Sequence, residues 1–120
     1  MNNNIYINIE KFNCEDDTQN VINIIEDNYK LEKEFKLIIE TNQLNRENVS
    51  LNNVYYISKW LIKLKTKKVQ YLKHTMIKIY NNHIYNLLYF LFTYLSKPIA
   101  PVEVIMYEKN HIEKVKTFYP

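Results

Sequence analysis

At 120 residues the chain is one domain's worth of sequence, and 47% hydrophobic against 24% charged residues excludes the disordered class. A chain of this size buries a core without metal or disulfide staples, and its single Cys14 has no partner for an internal bridge, as expected of a reducing, cytoplasmic setting. The net charge of +3 is unevenly spread: residues 1–34 hold eight acids and three lysines, whereas residues 59–80 hold seven lysines and no acid. There is no glycine at all, which excludes phosphate-cradling loops and dinucleotide fingerprints, because both need backbone that a Cβ would block.

In chain order, Ile5, Ile7 and Ile9 alternate with polar neighbours and predict a strand over residues 4–12. The opening Met1-Asn2-Asn3-Asn4 has no basic stretch leading into a long apolar run, so no signal peptide is expected. Glu15-Asp16-Asp17-Thr18 suits a helix start, and Val21, Ile22, Ile25 and Tyr29 then share one face of a helix reaching about residue 33. Phe35-Lys36-Leu37-Ile38-Ile39 reads as a buried central strand ending near Glu40-Thr41. Ser50 fits the N-cap of a helix over residues 51–67, with Val54, Ile57, Trp60, Leu61 and Leu64 on one arc. Lys59, Lys63 and Lys67 lie opposite, forming a basic face.

Thr75 to Tyr80 predicts a third strand, Asn81-Asn82 a turn, and residues 83–96 a third helix stopped by Lys97-Pro98. Val102, Val104 and Met106 alternate into a fourth strand, and residues 110–118 are read as a terminal helix. The order β-α-β-α-β-α-β-α predicts a single α/β domain over residues 1–120, with a mostly parallel sheet of four or five strands covered by helices. With no glycine available, Asn is expected to take the left-handed turn positions.

The passage from Phe35 to Ile105 resembles the SpoIIAA-like fold shared by STAS and CRAL-TRIO domains. The strand Phe35–Glu40 carries this, with Tyr71-Leu72-Lys73 leading into Met76–Asn81, then the helix Ile84-Tyr85-Asn86-Leu87-Leu88, and Lys97-Pro98 before the last strand. STAS domains carry a phosphorylatable Ser before their second helix. Ser50 resembles it by offset, whereas Asn48-Val49 and Leu51 depart from the surrounding motif, and the N-cap role accounts for this Ser. CRAL-TRIO domains hold a lipid in a cavity behind extra helices that this chain does not match.

Chemistry-bearing residues are sparse. His74, His83, His111 and Cys14 have no ligand-pair spacing, so neither a metal nor a cofactor is expected. Cys14 sits beside three acids that disfavour a thiolate, so no catalytic dyad and no enzyme activity is expected. Glu40 and Asn81 fall at the C-terminal ends of predicted parallel strands, where α/β sheets place crevices. The chain has a single arginine, Arg46, which lowers the case for nucleic acid on the lysine-rich face. The third helix is apolar over most of its circumference, with Tyr85, Tyr89 and Phe92 forming a stripe beside the aliphatic one. Surplus apolar surface of this kind points to a non-catalytic interaction or regulatory module, with a protein partner or self-association through Tyr85, Tyr89 and Phe92. The alternative is a domain binding lipid or an anionic membrane surface through the lysine face and an apolar crevice.

Overall fold

The computed structural model describes residues 3–120, so Met1 and Asn2 of the opening run lie outside the described residues. Strand β1 (Asn3–Asn8) leads to helix α1 (Glu15–Lys30), β2 (Phe35–Glu40), α2 (Leu51–Leu64), β3 (Leu72–Ile79) and α3 (Asn82–Phe90). A π turn (Leu91–Leu95) extends α3, and β4 (Val102–Glu108) and β5 (His111–Phe118) close the chain. The fold is therefore α/β with one five-stranded sheet in sequential order β1-β2-β3-β4-β5.

Three of the four strand pairings are parallel, and β5 returns antiparallel to β4. The sheet is thus mixed, which corrects the expectation of a mostly parallel sheet and of a terminal helix over residues 110–118. The reason lies in one bulge. Register shifts between Met106 and Tyr107, so that Ile112 faces Tyr107 while Val115 faces Ile105. The extra residue spaces two same-face apolar positions three apart, which imitates a helix in the sequence and is a strand in space. The turn into β5 uses Lys109 (φ 52°) and Asn110 (φ 67°), both left-handed as a type I′ hairpin requires. Among the described residues Asn takes one of the three left-handed positions; Glu32 (φ 53°), just beyond α1, and Lys109 take the others.

Each helix begins where a side chain caps it. The Asp17 carboxylate accepts from the backbone N–H of Cys14 (3.1 Å) and of Asn13 (3.0 Å) at the head of α1. Ser50 caps α2 by accepting from the Asn53 N–H (3.4 Å), and Asn81 caps α3 by accepting from Ile84 N–H (3.0 Å). The buried Asn53 ties the two helix starts together, its amide donating to Cys14 O and to the Thr18 hydroxyl, both at 2.7 Å. Strand β1 is shorter than predicted: it ends at Asn8, although Ile9 N–H still donates to Glu40 O (2.9 Å), and Phe12 pairs with Val49 in an isolated bridge outside the sheet. The second helix ends at Leu64, so Lys67 falls in the turn beyond it.

The core lies on one side of the sheet. Phe35, Leu37 and Ile39 of β2, Ile77 and Ile79 of β3, and Val102, Val104 and Met106 of β4 are buried with Val21, Ile22 and Ile25 of α1 and Val54 and Ile57 of α2. Their neighbours along the strands, Lys36, Ile38, Glu40, Met76 and Lys78, are only half-buried. All three helices therefore pack on one face, as a sequential strand order with crossovers of one hand dictates, and the other face of the sheet carries no helix among the described residues.

Candidate apolar ligand site

The helical face of the sheet does not close completely. Beneath α2 and α3 lies a cavity of about 150 Å³. Its floor is Leu37, Ile39, Ile77 and Val102 of the sheet. Its walls are Val54, Ile57, Trp60 and Leu61 of α2, with Ile84, Leu88 and Leu91 of α3 and the π turn. Phe12, Leu44 and Val49 close one end and Pro98, Ile99 and Ala100 the other. Ile9, Phe12, Val49, Trp60, Leu61, Leu87, Leu88 and Ile99 of the lining are half-exposed, so the cavity is not fully enclosed.

The local sequence explains why a gap stays open here. The Leu91–Leu95 segment is wound as a π turn, with Ser96 N–H donating to Leu91 O at 2.9 Å. The wider turn buries both Leu91 and the adjacent Phe92, and it carries the helix end against α2. Pro98 follows at once and cannot continue the helix. Among the lining residues Thr41, Thr75 and Trp60 carry polar side-chain groups; the Thr41 hydroxyl is donated to Lys78 O (2.6 Å) and the Trp60 indole N–H to the Glu26 carboxylate (3.3 Å). A water in this space lacks the two to four polar partners that would hold it.

Lys65 and Lys97 are exposed and stand outside the cavity lining. Lys65 lies one turn beyond Leu61 on α2, its N–H bonded to Leu61 O (3.1 Å), and Lys97 directly precedes Pro98. Burial pushes the Lys65 ammonium below its usual range, and the neighbouring charge of Lys97 lowers it further. The whole passage from Asn48 to Val102 contains no carboxylate.

The residues singled out in the sequence fall in several places. Phe92 is buried, with its ring 5.6 Å from that of Phe118 on β5, and Tyr89 meets the same ring at 6.0 Å. Lys114 of β5 lies 4.5 Å over the Tyr85 ring. Phe90, on the other flank, packs edge-on against Tyr55 of α2. Much of the surplus apolar surface of the third helix is thus covered within the chain, by a strand whose sequence reads as a helix. Lys59 and Lys63 are exposed on α2, and Ser50 is engaged as its cap. Asn81 is engaged likewise, its amide also donating to Leu44 O (3.0 Å).

Glu40 points to the bare side of the sheet, away from the cavity, and meets Tyr80 rather than Asn81. Burial, together with the Glu40 carboxylate, pushes the Tyr80 phenol up to about 12, and its ring stacks on Tyr107 at 5.5 Å. The three histidines stay apart, and among the described residues no three His, Cys, Asp or Glu side chains gather closely enough to hold a metal ion. No helix among them is long and apolar enough to cross a membrane. The cavity itself was not read from the sequence. Its signal was Trp60 on the apolar arc of α2 facing a third helix with more apolar residues than one sheet face can use. No protein family, curated protein or solved structure matches this chain.

Proposed function

We propose that the chain is a non-catalytic binding module that takes an alkyl chain or a single apolar ring into the cavity beneath α2 and α3. The observation that carries this reading is a cavity of about 150 Å³ walled by aliphatic and aromatic side chains between the helices and the sheet. A dry cavity of this size and lining admits ring-sized apolar molecules, because filling it restores dispersion contacts that its walls otherwise lack. The unbroken β-α alternation from β1 to β4 supports placing the module with STAS and CRAL-TRIO-like domains.

Trp60 is the only tryptophan and it lines the cavity, so its emission reports occupancy. Titration with 1-alkanols from butanol upward is expected to give saturable emission changes. Burying a methylene is worth about 0.8 kcal/mol, so affinity should rise about four-fold per carbon and level off once the cavity is full. Ala100→Phe, which fills the space, should abolish the response. A series without saturable binding, or one that Ala100→Phe leaves unchanged, contradicts the reading.

A further inference from the structure

The side of the sheet away from the helices presents a second apolar surface. Tyr6, Ile38 and Met76 stand side by side in register on β1, β2 and β3, and Ile105 pairs with Val115 across β4 and β5. Tyr6 and Val115 are exposed, and Ile38 and Met76 are half-buried. By strand alternation the three central strands place two lysines and two glutamates on the same face: Lys36 and Glu40 on β2, Lys78 on β3 and Glu103 on β4. These charges cancel, in a chain whose net charge is +3, so an anionic membrane or a nucleic acid meets no excess of cations here. Among the described residues the ion pairs are Lys30 with Asp27 and Lys73 with Glu34, and none of these four charges takes part in one. Lys36 and Glu40 stand two residues to either side of Ile38. A two-fold axis lying across the strands at Ile38 sets Lys36 of one copy opposite Glu40 of the other, twice, with Ile38 and Met76 against their own counterparts.

We infer that two copies of this chain pack sheet against sheet through this face, with β2 of one antiparallel to β2 of the other at the centre. The size of the face is sufficient. Five strands about 4.8 Å apart, each about six residues of 3.3 Å, make a surface of about 24 by 20 Å. Two such surfaces together remove about 1,000 Å² from water, the lower bound for a stable interface. Stacked sheets lie about 10 Å apart with strand directions within about 30°, a gap that a lysine and a glutamate span together. The Glu40 carboxylate accepts from Thr41 N–H (3.1 Å), which holds it at the strand end. The contact is independent of the cavity, which lies on the other side of the sheet.

The test is the solution mass by light scattering. The wild type should read twice the 14.7 kDa of one chain. Lys36→Glu and Glu40→Lys should each read as monomers, because each sets like charges face to face twice. Mixed one to one, the two variants should recover the dimer, since one then offers only acids at these two positions and the other only lysines. Recovery also shows that both variants fold. Tyr6→Lys, at a position too exposed for folding to depend on it, should raise the dissociation constant about ten-fold. Lys63→Glu, on the helical side, should leave the dimer intact. A wild type that stays monomeric up to about 1 mM overturns the inference. A dimer that survives the single substitutions and Tyr6→Lys also overturns it, because the contact then lies on another face.

Discussion

Single residues show where local chemistry outweighs composition. Tyr80 is a phenol in company that disfavours its ionisation: part of its surface is removed from water, and the Glu40 carboxylate across the strand end repels a tyrosinate. A group whose folded value lies above its unfolded one lends stability below the unfolded value and loses it as pH rises through the folded one. For Tyr80 that window runs from 10.0 to about 12. Ultraviolet titration of the wild type against Tyr80→Phe should isolate one phenol titrating late, and Glu40→Gln should move it part of the way back, since burial is the larger cause. A Tyr80 that titrates with the bulk of the tyrosines contradicts this placement. Glu40 was singled out in the sequence for its position at a strand end. The neighbour that gives it a consequence, Tyr80, comes from the adjacent strand and had no signal in the sequence.

At the scale of elements, the sequence was most legible where apolar period and caps agree. Helices α1 and α2 start at the acidic run after Cys14 and at Ser50, where Asp17 and Ser50 can close the first turn. Strand β2 was legible as an unbroken β-rich run. Strand β5 was not, because a bulged residue shifts the spacing of Ile112 and Val115 from two to three. The hairpin before it was hidden for a second reason. Lys109 holds a left-handed backbone (φ 52°) in a chain with no glycine, so the usual turn residue is absent. Left-handed backbone disfavours a residue with a Cβ by about 1–2 kcal/mol, and glycine gives part of that back through a freer unfolded chain. Lys109→Gly is therefore expected to stabilise the protein by about 0.5–1 kcal/mol in urea denaturation, with an unchanged slope. A clear loss of stability would show that Lys109 is held by interactions its backbone angle does not suggest.

On the scale of the whole molecule, the decisive feature is that the helices occupy one side only. The Cα radius of gyration of 13.7 Å is that of a compact domain of this length, about 13.6 Å by the usual scaling. Strand alternation in the sequence implied a sheet and helices and was silent on which face each helix takes, because that depends on strand order. With the order sequential, three helices share one face and must tile it between them. Asn53 links the starts of α1 and α2, and residues of all three helices line the cavity left above the sheet. The opposite face carries its own apolar positions, Ile38 and Met76 in register on β2 and β3, and Ile105 and Val115 on β4 and β5. The two faces therefore compete as sites for an apolar ligand, and methyl resonances tell them apart. On addition of octan-1-ol, the account requires saturable shifts at Ile77, Ile84, Leu88 and Val102, with Ile38, Ile105 and Val115 unmoved. Shifts confined to the bare face, or no shifts at any concentration short of saturation of the solvent, would contradict it.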